Sequence, residues 1–413
     1  MIYQMYAIVN SKAKRITFRV CTMESHKNCI AYALCLCYTE KDMQREAEHM
    51  NKRDINVDLS RIIAAVFVVV LHVLGQGGVL DSTSPGETKY WAAWFLEILA
   101  LCAVNCFALI SGYVMVNKSI KAKNIVSLWF HVLFYSVLIS AIFFVFLPET
   151  RSKTNLLIAV LPIVGKQWWY ISSYFALLFF MPFLNAAANH LSQQIYKKCL
   201  IMVLIGICCI DCVIPIDAFI LSEGYSTIWL MIVYLFGAYI RKYDIRLRIT
   251  ALKSILGFFS MIILTFLSKI AITFLTNSIF GQTKHEDIFI SYISITILLA
   301  AVFLLLFCLN IRISNLGAKL ICFFSPVTLG VYLIHVHPFV FDFVIKDAFS
   351  SFAHKPVAVM LLSVVIATIS IFGLCTAIEL ARIQFFKLIR VNCWSENIGN
   401  AINKLFLRVF KNI

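Results

Sequence analysis

The stretch Asp58-Leu-Ser-Arg61-Ile-Ile-Ala-Ala-Val-Phe-Val-Val-Val-Leu-His72-Val-Leu-Gly75 decides the fold. The apolar run from 59 to 80 is long enough to span a bilayer, yet it carries Arg61 and His72, which are costly to hold in hydrocarbon. An α-helix turns about 100° per residue, so the step from Arg61 to His72 is three turns plus roughly 20°. Both side chains therefore fall on one stripe, about 16 Å apart along the axis. Asp58 lies one turn before Arg61, within about 40° of that stripe, where it can pair with the guanidinium. Three polar side chains can thus face one cavity from a spanning helix. The plainer alternative is an ion pair marking the membrane boundary and a histidine serving as an interhelical hydrogen-bonder.

The rest of the chain agrees with a membrane setting. Over 413 residues it is 61% hydrophobic and only 14% charged, with a mean hydropathy of +0.87, which excludes an ordinary soluble domain. Apolar runs fall at 59–80, 91–116, 125–147, 168–187, 199–216, 228–240, 254–275, 288–310, 318–343 and 357–386. The sixth is short and Pro326 interrupts the ninth. With the N-terminus inside, inner loops and the tail hold 18 Lys and Arg, against seven in the outer loops. The expectation is an all-α polytopic membrane protein of about ten transmembrane helices with both termini cytoplasmic. The net charge of +15 is then explained by contact with an anionic lipid bilayer rather than by nucleic acid. No phosphate-binding loop, metal-ligand spacing or repeat is present, so neither a metal nor a bound cofactor is expected.

Most of the 14 cysteines lie in the apolar runs (Cys102, Cys106, Cys199, Cys208, Cys209, Cys212, Cys308, Cys322, Cys375), where cysteine acts as a small hydrophobe. The Cys208-Cys209-Cys212 cluster lacks the strand context of a redox motif. Residues 1–49 are mixed in character, with Cys21, Cys29, Cys35 and Cys37 and no signal-peptide pattern, and read as an N-terminal extension of doubtful authenticity, poorly ordered. Residues 50–390 read as the transmembrane domain and 391–413 as a basic cytoplasmic tail.

Other polar groups sit inside the runs. Glu97, Asn105 and Ser111 suit interhelical hydrogen bonding; Lys269 can snorkel, while Asp211 and Glu379 are candidate cavity residues. His335 and His337 are two apart and point to opposite faces of a helix, so at most one can reach the same cavity. Trp168, Trp169 and Tyr170 fall at an expected membrane boundary, where they can form an aromatic belt or stack on a sugar ring. The segment Arg241-Lys-Tyr-Asp-Ile-Arg246-Leu-Arg248 reads as an inner basic loop.

The pattern Arg53-Asp-Ile-Asn-Val-Asp58-Leu-Ser-Arg61…His72 resembles the opening helix of the membrane-bound acyltransferase 3 family. Phe107-Ala-Leu-Ile-Ser-Gly-Tyr113 is similar to its Ser-Gly-Tyr/Phe segment, and Trp168-Trp-Tyr-Ile-Ser-Ser-Tyr174…Met181-Pro-Phe-Leu184 to its aromatic span. Gly330-Val-Tyr-Leu-Ile-His335 resembles its late Gly-Ile-Tyr-Leu-Ile-His segment, and the likeness runs over about residues 53–390.

The resemblance implies ten core spans and an O-acyltransferase of the plasma membrane, of the polysaccharide O-acetyltransferase kind. It would move acyl groups, most often acetyl from acetyl-CoA as donor substrate, onto hydroxyls of a surface glycan or lipid-linked sugar. By the same resemblance His72 and Arg61 are the catalytic residues, with Asp58 beside them. Ser111, Lys118, Lys121, Trp168, Tyr170 and His335 are candidates for donor or acceptor binding. Where the family often has arginines after the Ser-Gly-Tyr segment, this chain has Lys118, Lys121 and Lys123, which can neutralise phosphate without the bidentate fork. His72 is the best general base on offer and Arg61 would orient the donor. A transporter or flippase of a glycan or lipid intermediate is the alternative, although the halves of the chain share no internal similarity.

Overall fold

The computed structural model describes residues 54–208, 210, 217–281 and 287–410, which are mostly helical with no strand among them. The expected extension 1–49, Asp211, Cys209 and Cys212 lie outside these residues.

Helix α1 (Ile55–Leu74) is capped by Asp54, whose side chain accepts from the Val57 N–H, and it ends at Gly75. Asn56 fixes its start by donating to the carbonyls of Cys308 (2.6 Å) and Ile311 (2.9 Å). After α1 the chain passes α2 (Thr88–Ala100), α3 (Ala103–Met115), α4 (Ala122–Phe146), α5 (Lys153–Val160), α6 (Trp169–His190) and α7 (Gln193–Met202). There follow α8 (Thr227–Lys242), α9 (Ala251–Phe280), α10 (Ile295–Asn310), α11 (Asn315–Phe324), α12 (Thr328–His335), α13 (Val357–Leu388) and α14 (Val391–Phe410). Helix α1 packs against α2, α3, α10, α11, α12 and α13, so the helix bearing Asp58, Arg61 and His72 is the hub of the bundle.

Among the described residues, seven helical segments are long and apolar enough to cross a membrane: 55–74, 88–115, 122–146, 169–190, 251–280, 315–335 and 357–388. The chain is a multi-pass membrane protein by this measure, its periphery carrying exposed apolar side chains such as Phe146, Phe183 and Leu374. Three of the ten expected runs form shorter elements. The run 228–240 is the 16-residue α8, 288–310 gives the 16-residue α10, and 199–208 is the end of α7 followed by a π-helical stretch, Val203–Cys208. Pro326 falls in a 3-10 turn (Ser325–Val327) that separates α11 from α12, as its missing N–H dictates. The stretch 391–410, expected as a tail, is helical and lies along α4.

Small residues let two helices touch at backbone distance. A Cβ on Gly112 would lie 1.9 Å from the Tyr234 carbonyl oxygen, and one on Gly237 would lie 2.0 Å from that of Leu109. Helices α3 and α8 therefore pack as a small-residue pair, the mode that substitutes for hydrophobic burial between helices in lipid.

Candidate functional site

Two helix ends meet at His72. It lies in the last turn of α1 and His335 closes α12, and the His72 Nδ1 is 3.0 Å from the His335 Nε2. The loop after α1 is tied to the segment after α12, with the Asp347 N–H donating to the Gln76 carbonyl (3.0 Å) and that of Phe349 to the Gly77 carbonyl (2.9 Å). Phe341 packs edge-on against the His72 ring at 5.1 Å.

The hydrogen-bond partners assign the tautomers of the two neutral rings. The His335 Nδ1 is 2.6 Å from the Val331 carbonyl, which only accepts, so Nδ1 carries the proton. In the neutral ring its Nε2 then accepts, and the proton between the two histidines belongs to Nδ1 of His72. That leaves the Nε2 of neutral His72 able to take up a proton. His335 is 1% exposed and acts from behind, whereas the half-buried His72 lines a cavity.

The cavity holds about 330 Å³ and is walled by α1, α3, α6 and α12. Arg61 lines it as well as His72, so it follows α1 for about three turns. Arg61 Nη1 sits 2.6 Å from Oδ1 of Asp58, which is 1% exposed, while the arginine side chain keeps a third of its surface open. Ser111 lines the cavity with its hydroxyl donating to the Phe107 carbonyl (2.8 Å), and Tyr174 stands beside both Ser111 and Arg61. Tyr170 is also in the lining.

Trp168 is buried against the His337 ring at 5.5 Å, and it is Trp169, the next residue, that reaches the cavity. Lys118 and Lys121 are exposed at the Arg61 end of α3, outside the lining. His337 lies beyond α12, where the Gln167 side chain (2.7 Å) meets its Nε2.

Three other polar groups of the spans have structural partners. Asn105 donates to the Tyr292 carbonyl (2.8 Å) and accepts from Trp229 Nε1 (2.8 Å). Glu379 takes both Arg382 nitrogens, at 2.6 and 2.9 Å, together with the Tyr135 hydroxyl at 2.6 Å. Lys269 is fully buried rather than snorkelling, 2.7 Å from Asp287 and 3.6 Å from the Trp94 ring centre.

Several lining residues carry no signal in the sequence. Tyr292 lies within the apolar run 288–310 and Thr328 within 318–343, where nothing sets them apart from their neighbours, and Tyr332 was visible only as a member of the Gly330–His335 motif. Burial pushes the Tyr292 phenol well above its ordinary range, and Tyr225 moves the same way for the same cause, so both stay protonated donors.

A family model of acyltransferase domains, that of acyltransferase 3, matches residues 54–380. The chain belongs to the acyltransferase 3 family. This acyltransferase 3 member is an enzyme that transfers acyl groups other than aminoacyl groups. No curated protein and no solved structure matches it significantly. The matched segment takes in Asp58, Arg61, His72, His335 and all the cavity-lining residues.

Proposed function

We propose that this membrane acyltransferase is an O-acetyltransferase of the plasma membrane, moving acetyl from acetyl-CoA to a hydroxyl of a surface polysaccharide or lipid-linked glycan. The observation that carries the reading is the 3.0 Å contact of His72 Nδ1 with His335 Nε2, which leaves Nε2 of a neutral His72 as the proton acceptor, on a side chain that lines a cavity also reaching Arg61. General-base acyl transfer needs a proton acceptor near the attacking hydroxyl and a separate place for the donor. His72 and Arg61, about 16 Å apart, offer the two.

In this mechanism the acceptor hydroxyl gives its proton to His72 Nε2 as its oxygen bonds to the thioester carbonyl carbon. The tetrahedral intermediate then expels the CoA sulfur, which takes the proton back from Nε2. During the cycle His335 Nε2 holds the Nδ1 proton and so stabilises the transient imidazolium by a charge-assisted hydrogen bond. Arg61, kept in place by Asp58, faces the phosphates of the donor. Lys118 and Lys121, exposed at the same end, add positive charge on its approach.

The end with Arg61, Lys118, Lys121, Arg241 and Arg312 is then cytoplasmic, with ten spans and both termini inside. The shorter α8 and α10 cross within the bundle, shielded from lipid by their neighbours. The test is alkali-labile O-acetyl on the host's surface glycans, compared between wild type and His72→Ala at equal membrane abundance. Loss of acetyl in the variant supports the reading, whereas unchanged acetyl with altered export of the glycan favours a transporter.

A further inference from the structure

Beside His72 the cavity is faced by aromatic rings that run out to an exposed surface. Tyr292, 7% exposed, and Trp169 both line the cavity, and their rings lie nearly parallel at 6.4 Å. Tyr225 packs against both, at 4.6 Å from Trp169 and 5.0 Å from Tyr292, and is itself 49% exposed. Its neighbours Ser222 and Glu223 are exposed and polar, so this ring opens toward water rather than toward lipid.

The platform is rigidly built. Asn105 holds the Tyr292 carbonyl, and Gly224, at φ +100°, packs so closely that an added Cβ would sit 2.4 Å from that of Tyr292. Ile220, Ser222 and Glu223 precede it at φ 55°, 49° and 54°, a run of left-handed backbone that costs free energy and that tertiary structure has to maintain.

Three buried polar atoms around this platform have no hydrogen-bond partner among the described residues: Oε2 of Glu97, Oγ of Ser291 and the hydroxyl of Tyr332. Tyr332 lines the cavity, Ser291 adjoins Tyr292, and Glu97 lies within electrostatic reach of Tyr225 and Tyr292. A native fold leaves such atoms unsatisfied rarely, and each costs about 1–3 kcal/mol unless something pairs with it. Aromatic faces flanked by an unused carboxyl oxygen and unused hydroxyls suit a ring that is apolar on its faces and hydroxylated around its edge.

We infer, resting on the acyl-transfer reading, that Trp169, Tyr225, Tyr292 and Tyr332 with Glu97 form the acceptor subsite, which seats a neutral pyranose ring. Stacking on Tyr225 and Trp169 guides the sugar inward, and Glu97 accepts from its hydroxyls. The rings, hydroxyls and carboxyl group of this seat offer a sugar carboxylate no counter-charge, Arg61 standing about 16 Å from His72 along α1, so burial of an acidic sugar goes uncompensated. An aromatic belt facing lipid would need neither the buried Tyr292 nor the orphaned oxygens.

The test uses the purified full chain in nanodiscs and a set of neutral p-nitrophenyl hexopyranosides with the matching glucuronide. Saturation-transfer NMR reads binding without donor, and CoA release from acetyl-CoA reads turnover. Wild type binds at least one neutral hexoside and not the glucuronide. Tyr225→Ala and Glu97→Leu weaken that binding and raise the hexoside KM tenfold or more, with kcat and the acetyl-CoA KM within twofold of wild type. Absence of hexoside binding to wild type, unchanged binding in both variants, or an effect confined to the acetyl-CoA KM would overturn the subsite. Hexoside binding that depends on Tyr225 and Glu97 without any CoA release would instead leave the subsite standing and refute acetyl transfer.

Discussion

Replacing His335 with phenylalanine deletes the acceptor that holds the Nδ1 proton of His72 and keeps a ring of similar bulk in the pocket. In the resting enzyme the 3.0 Å contact is a neutral hydrogen bond that selects the tautomer with a bare Nε2. In the transition state the His72 ring gains charge, and the same contact becomes charge-assisted, worth about 1.5–3 kcal/mol. At 1.36 kcal/mol per decade, losing it lowers kcat by about 10- to 160-fold. His335→Gln, which places a side-chain oxygen near the old Nε2 position, retains more of the rate than His335→Phe. The assay is CoA release by purified protein in nanodiscs, followed with a thiol reagent, with thermal unfolding run in parallel to normalise for folded enzyme. A His335→Phe rate within twofold of wild type would refute the relay. Equal loss in His335→Phe and His72→Ala would refute the division of labour between the two rings.

Other expectations follow from the packing and the ion pairs. Gly237→Ala pushes a methyl onto the Leu109 backbone and should destabilise the α3–α8 pair by about 1–3 kcal/mol or more, seen as a lowered unfolding temperature in detergent. Glu379→Gln leaves the nearly buried Arg382 without its carboxylate and should cost about 3–5 kcal/mol of stability, with little change in kcat per folded molecule because neither residue lines the cavity. Arg61→Lys keeps the charge beside Asp58 but loses the planar fork. It should raise the acetyl-CoA KM several-fold and leave kcat nearly unchanged, as steady-state kinetics would reveal.

The single-helix geometry was readable because it depends only on the pitch of α1: the Asp58–Arg61 pair and the shared cavity of Arg61 and His72 follow from spacing along one element. The contact of His72 with His335 was not readable, since 263 residues separate them and only the meeting of two helix ends joins them. Treating residues 330–337 as one continuous helix put His335 and His337 on opposite faces; the helix in fact stops at His335, and His337 turns toward Gln167. Hydropathy marked Lys269 as a snorkelling side chain because Asp287, its partner, comes from the loop before α10. Tyr225 and Tyr292 escaped notice for a related reason: loops carry no periodicity, and only the fold brings their rings against Trp169.

The central claim is that Nε2 of His72 takes the proton of an attacking hydroxyl while acetyl leaves CoA. The most direct measurement is acceptor-dependent CoA release from acetyl-CoA by purified wild-type protein and by His72→Ala, at equal folded concentration in nanodiscs. Release by wild type with a fall of at least a hundredfold in His72→Ala, while acetyl-CoA still binds, is the expected result. Equal release by the two proteins would contradict a role for His72 in proton transfer.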